Sequence, residues 1–189
     1  MKTLTVVFRA FDRTDVLEQF IWFSKTNRGA EIGVWNGDFS IRLLESLPKL
    51  EMLYLVDSYK QFSKEEYNDV ANSSQEIQEA RYNLVKVLIG YHPKKVQLFR
   101  MLSMEAVKLI EPESLDFVYI DANHSYKCVL EDLTEWGKRV RKGGLIAGHD
   151  YGEVHIDVAR AVHQYCGDNE ISFVKVSKFS TDYLIQKNN

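Results

Sequence analysis

Glu31-Ile32-Gly33-Val34-Trp35-Asn36-Gly37-Asp38-Phe39-Ser40 is the stretch on which the reading of this 189-residue chain turns. A β-favouring run over 30–34 passes through glycine into a segment that starts at Asp38 or Ser40. That segment carries Ile41, Leu44 and Leu47 at the spacing of an amphipathic helix, and Pro48 ends it. Strand, glycine turn and helix in that order open a βαβ unit. Open α/β sheets bind ligands at the carboxyl ends of their strands, where the topology changes direction, so this turn is the first place to seek a site. A dinucleotide turn needs Gly-x-Gly-x-x-Gly, whose middle glycine lets the backbone approach a pyrophosphate, and Trp35 and Asn36 occupy that stretch here. A Gly-Lys-Ser/Thr phosphate loop is also absent, so the turn suits a ligand without phosphates.

Working outward, β-favouring runs over 52–56, 96–102, 115–120, 145–148, 171–176 and 182–186 alternate with helical patterns. The segment 115–120 is the most apolar and reads as a central strand buried on both faces. Val129, Leu133, Trp136 and Val140 give a helix over 125–140, with Gly143-Gly144 as its stop, and a further helix is expected over 154–165. The last two runs, joined by a short polar turn, read as an antiparallel pair. The expected fold is therefore a doubly wound, mostly parallel α/β sheet of seven strands in one domain spanning 1–189. Residues 59–93 break the alternation. They are polar and helix-favouring, an insertion that is either a solvated cover for a sheet edge or a lid over a pocket.

Composition narrows the function classes. A hydrophobic fraction of 45% and an aromatic fraction of 12% supply a core, which excludes intrinsic disorder. A net charge of -3 with no Lys/Arg block leaves no footprint for nucleic acid. No apolar run approaches membrane-spanning length, and Arg9 and Asp12 interrupt the start before a signal-peptide core could form, so a cytoplasmic protein is expected. Cys128 and Cys166 stand alone, without zinc-ligand spacing, and read as reduced thiols.

Asp57 ends the second strand about twenty residues beyond the turn, where a carboxylate can accept two hydrogen bonds from a ribose diol. It can equally serve as a strand-end turn former. Two further strand ends bring polar groups together: Asp121 with His124 three residues on, and His149-Asp150 after the neighbouring strand. Carboxylates clustered without thiolates suit a hard divalent ion such as Mg²⁺, with His149 making the set slightly softer. His124 is the candidate general base, because imidazole titrates near neutral pH. His92, His155 and His163 lack such neighbours and receive no role.

The blocks Gly29–Ser40, Leu55–Tyr59, Leu115–Tyr126 and Gly143–Tyr151 together resemble the class I methyltransferases that use S-adenosylmethionine (SAM), and specifically methyltransferase family 24. That resemblance implies that Glu31, Gly33, Gly37 and Ser40 shape the cofactor loop and receive the amino-acid end of SAM. It implies that Asp57 holds the ribose and that Ser103 lines the adenine pocket, a position where Ser103 also reads as a helix N-cap. Related sugar and macrolide O-methyltransferases bind magnesium through an Asp and an adjacent acidic pair. Asp121, His149 and Asp150 stand at that spacing here, with His149 in place of the first acid. The implied activity is methylation of a small-molecule or sugar hydroxyl, with the acceptor as partner and a homodimer allowed. A non-catalytic SAM-binding subunit is the alternative, and an NAD-dependent oxidoreductase is disfavoured by Trp35 and Asn36.

Overall fold

A computed structural model describes residues 4–5, 27–175 and 181–188. The strands are β1 (Leu4–Thr5), β2 (Arg28–Ile32), β3 (Met52–Val56), β4 (Val96–Phe99), β5 (Leu115–Ile120), β6 (Val140–Gly148), β7 (Phe173–Lys175) and β8 (Tyr183–Gln186). The helices are α1 (Asp38–Ser46), α2 (Gln75–Ile89), the single turn α3 (Ser103–Ala106), α4 (Tyr126–Arg139) and α5 (Ile156–Asp168). All strands join one sheet in the order β1-β7-β8-β6-β5-β2-β3-β4. The seven expected strands are present, with the two-residue β1 added at an edge beside β7. Every pairing is parallel except those of β8, which runs antiparallel to both β6 and β7. The polar turn expected before β8 and the residues around Arg9 and Asp12 lie outside the described residues.

The side chains of the central strands alternate between two layers, as the two-residue period of a strand requires. Ala30, Ile32, Val118, Ile120 and Ile146 face a core completed by Val129, Leu133 and Trp136 of α4 and by α5. Leu53, Leu55, Phe117, Tyr119 and Ala147 face the opposite core, under Phe39, Leu43 and Leu44 of α1 and Val85 of α2. Both faces are thus covered, which is why β5 reads as a continuous apolar run. From β2 the chain winds outward through β3 to β4, then returns to the other side of β2 for β5 and β6. The change of direction falls between β2 and β5 and opens a crevice at their carboxyl ends.

Several boundaries differ from the sequence reading, two of them for a packing reason that the glycines reveal. Strand β2 starts two residues earlier, because Arg28 and Gly29 pair with Met52 and Leu53 and the missing side chain of Gly29 makes room for the Phe117 ring. Helix α4 stops at Arg139, and Val140 already belongs to β6. Gly143 and Gly144 therefore lie within the strand, where the register shifts so that Leu115 opposes Val140 but Phe117 opposes Leu145. A Cβ on Gly144 would sit 2.7 Å from the Asp116 carbonyl oxygen, so the irregularity requires glycine.

Gly33 sits at the crevice itself. Its φ is +90°, and a Cβ there would lie 1.9 Å from the carbonyl oxygen of Asp121. The Asp121 amide donates to the Ile32 carbonyl at 2.7 Å, so the loops after β2 and β5 touch through backbone alone. Gly33→Ala should cost roughly 3 kcal/mol or more, combining a left-handed conformation with a backbone clash. Urea unfolding should show it as a lowered midpoint with unchanged slope.

Candidate active site

The crevice contains a cavity of about 400 Å³. Gly33 and Trp35 bound it from the first loop, Asp57 from the end of β3, Ser103 from α3 and Asp121 from β5. Its remaining side is closed by Lys60, Phe62, Tyr67 and Ala71 of the insertion.

The first loop is held in place by Asp57. Its Oδ2 accepts hydrogen bonds from the backbone of Val34 and Trp35, both at 3.0 Å, while Oδ1 accepts from Tyr59 at 2.9 Å. The turn-former reading of Asp57 is thus realised, and the same carboxylate faces the cavity. Below the loop, Ser40 Oγ donates to Glu31 Oε2 at 2.6 Å, and both residues are buried. Glu31 and Ser40 brace the loop from beneath and do not line the cavity. Gly37 also stands away from it: with φ +82° it begins α1, and its Cα packs toward Val85 of α2. Of the residues expected around a cofactor, Gly33, Asp57 and Ser103 are brought to the cavity wall.

The insertion divides into two parts. Helix α2 buries Val85 in the core, which is the cover expected of it, and is capped by Ser74. The preceding loop is closed at its base by Gln61 and Gln75, each amide N–H donating to the other's side-chain oxygen at 3.0 Å. At its tip, Tyr67 Oη donates to the Ala122 carbonyl at 3.3 Å and Asp69 reaches His124.

His124 is the centre of the polar cluster. Its Nδ1 lies 3.0 Å from Asp69 Oδ2, and its Nε2 lies 3.0 Å from Asp150 Oδ2 and 3.8 Å from Asp121 Oδ1. The contacts on the Nε2 side are close enough for ion pairing but lack hydrogen-bond alignment. Burial alone would push the imidazole down; Asp121, Asp150 and Asp69 outweigh that and lift it to about 10. The ring nitrogens of His149 are engaged by other groups, Nδ1 at 3.0 Å from Asp150 Oδ1 and Nε2 at 3.2 Å from Thr181 Oγ1. The carboxyl of Asp150, against whose ionisation burial works, is held far below the usual range by the two histidines. The donors that converge are therefore Asp121, His124 and Asp150, not the set containing His149. A second convergence, of Asp69, His124 and His155, was not anticipated: the rings of His124 and His155 are 4.3 Å apart.

Asp132 of α4 also forms part of the cavity wall. It is hydrogen-bonded to Ser103, and burial raises its carboxyl to about 7. The sequence does carry a signal for it: Asp132 interrupts the apolar stripe of Val129, Leu133 and Trp136.

A doubly wound sheet with its cavity at the switch point and an acidic residue ending the next strand has the architecture of class I methyltransferases. A family model described as a methyltransferase domain, family 24, matches residues 30–151. The chain belongs to this methyltransferase family. Among solved structures, the O-methyltransferase NovP aligns over 94% of this chain and 80% of its own, with a TM-score of 0.69 and 15% identity. TomG from Streptomyces achromogenes, an O-methyltransferase in complex with SAM, aligns over 94% and 80% with a TM-score of 0.65 and 13% identity. An O-methyltransferase from Bacillus cereus in complex with SAH gives 94% and 83%, a TM-score of 0.63 and 14% identity. No curated protein matches the chain significantly. Among the described residues, no helix is long and apolar enough to cross a membrane.

Asp132 yields a pH prediction. Its folded value, about 7, lies well above the ordinary range of an aspartate carboxyl, so the native state holds its proton more tightly than the unfolded chain. Stability should therefore fall as pH rises from about 4 to about 7, by a few kcal/mol relative to Asp132→Asn, which lacks the titration. Urea unfolding of both proteins across that range measures the difference.

Proposed function

We propose that the protein transfers the methyl group of SAM to a hydroxyl oxygen of a small molecule. The observation that carries this reading is the cavity wall that joins Gly33 and Asp57 at one side to Asp121 at the other, with His124 beside Asp121 but outside the wall. SAM-bound and SAH-bound O-methyltransferases share the fold.

In this proposal the ribose lies against Asp57 and the base against Ser103. Gly33 and Trp35 receive the amino-acid end, with Glu31, Gly37 and Ser40 fixing the shape of their loop. The sulfonium then faces Asp121. Methyl transfer is an in-line displacement, so most of the rate comes from holding acceptor oxygen, methyl carbon and sulfur aligned. The insertion loop supplies the surface that excludes water and positions the acceptor.

His124 is the proposed proton acceptor, with Asp69 fixing Nδ1 and Nε2 directed at Asp150 and Asp121. In the arrangement described, the imidazole is protonated at neutral pH, because three carboxylates surround it. It can take a proton only when Asp121 and Asp150 are otherwise engaged. Those two carboxylates, with no thiolate nearby, fit a divalent cation such as Mg²⁺ or Mn²⁺. Such an ion supplies positive charge that stabilises the developing alkoxide.

Calorimetric titration with SAH tests the reading, and absence of binding to the folded protein would sink it. Asp57→Ala should weaken SAH by about 30- to 150-fold, since the loop loses its tether and the ribose a charge-assisted contact worth about 2–3 kcal/mol. With labelled SAM and a panel of sugar and phenol acceptors, His124→Ala should retain SAH affinity while turnover falls by about 10²–10⁴-fold. Saturating SAH should also slow hydrogen exchange across residues 60–74, whereas α2 should change little.

A further inference from the structure

His155 stands immediately ahead of α5 and does not line the cavity, yet its ring lies 4.3 Å from that of His124, tilted by 49°. Asp69 approaches the pair from the insertion loop, with Oδ2 3.0 Å from His124 Nδ1. One donor atom from each of Asp69, His124 and His155 lies within 4.8 Å of the other two. Three separate stretches of chain thus meet at one point, and the proposed methyl transfer makes no use of His155.

The donors are already oriented. The Ala71 amide donates to Asp69 Oδ1 at 2.8 Å, which holds the carboxylate with Oδ2 toward the imidazole. On the far side of the His124 ring, Nε2 lies 3.0 Å from Asp150 Oδ2. A carboxylate in that place is the usual support of a metal-bound imidazole, because it fixes the ring and accepts the proton of the nitrogen that does not bind the ion. His155 makes no hydrogen bond through either ring nitrogen among the described residues.

Two imidazoles and a carboxylate select the kind of ion. Mg²⁺ prefers oxygen ligands, whereas imidazole suits zinc and the neighbouring transition ions. Tetrahedral bonds of 2.0–2.2 Å put neighbouring ligand atoms about 3.3–3.5 Å apart. The Asp69–His124 separation of 3.0 Å is close to that. Charge favours binding as well: His124 is the shared cation of Asp69, Asp121 and Asp150, and exchanging its Nδ1 proton for a divalent ion adds one positive charge among three acids.

We infer that Asp69, His124 and His155 form a site for a borderline divalent ion of the zinc type, separate from the proposed hard-ion pair Asp121 and Asp150, and that this ion clamps the insertion loop to the segments after β5 and before α5. Three protein ligands leave a fourth position for water. Asp69 is two residues from Tyr67 on the cavity wall, so the clamp also fixes the side at which the acceptor is proposed to lie. An ion on Nδ1 keeps the proton on Nε2, which stops turnover if His124 is the proton acceptor; the binding itself does not depend on that reading.

Calorimetric titration of the full chain with Zn²⁺, and visible absorption with Co²⁺ in its place, test the site. Zn²⁺ should bind at one equivalent, Co²⁺ should show the strong visible bands of a four-coordinate ion, and Zn²⁺ without SAH should slow hydrogen exchange over residues 60–74. His155→Ala and Asp69→Ala, checked for folding by circular dichroism, should each weaken Zn²⁺ by at least about 100-fold, since loss of even a supporting partner costs about 10- to 100-fold. Asp121→Asn leaves the three ligands in place and should retain Zn²⁺. Absence of Zn²⁺ binding, or wild-type affinity in both His155→Ala and Asp69→Ala, would overturn the inference. Loss of Zn²⁺ in Asp121→Asn alone would overturn it too, by placing the ion at the hard-ion pair. Failure of the protein to bind SAH would remove the SAM reading and leave the Zn²⁺ result standing.

Discussion

The cavity depends first on the Asp57 carboxylate. Three backbone N–H groups from two loops, those of Val34, Trp35 and Tyr59, converge on its two oxygens. One charge at the end of β3 thereby shapes the turn after β2 and launches the insertion. Amides gathered on a carboxylate form bonds roughly twice as strong as neutral ones, so the two loops are fixed as one unit. The geometry also explains why Trp35, with φ at +52°, tolerates a conformation unusual for a bulky residue.

The opposite side of the site is governed by charge balance. Asp69, Asp121 and Asp150 arrive from three separate stretches of chain, and His124 stands among them as the shared cation. Such an arrangement keeps three acids close together without mutual repulsion dominating. It also means that the state of His124 is decided by whatever else Asp121 and Asp150 hold. The proposed proton transfer and the proposed ion site thus share one cluster.

Much of the fold was legible because its signals are local. The glycine turn, the alternating strands and the helix stripes each occupy a few neighbouring residues, and strand ends mark where polar groups emerge. Asp57, Asp121, His124 and Asp150 could be placed at the strand ends around the crevice in that way. The errors arose where tertiary packing overrode local chemistry. Gly143-Gly144 has the chemistry of a helix stop, yet pairing with β5 draws Val140 into the sheet and uses the glycines to pass Asp116. His149 shares its strand end with Asp150 but turns toward Thr181, a side-chain direction that spacing does not encode. Asp69 lies in a polar segment without period, and only closure of the loop carries it to His124. His155, placed just ahead of α5, is brought beside the same ring by the packing of α5 against α4.

The Gln61–Gln75 pair gives the insertion loop a pinched base, with the backbone on both sides fixed independently of what lies between. For a loop whose ends are already held, each doubling of length costs only about 0.6 kcal/mol in closure entropy. The stretch between the two glutamines can therefore gain or lose residues while α2 stays seated on the core and the turn after β2 keeps its form. With the loop positioning the acceptor as proposed, acceptor preference and cofactor binding would be separately evolvable, through changes to a dozen or so loop residues on an unchanged sheet.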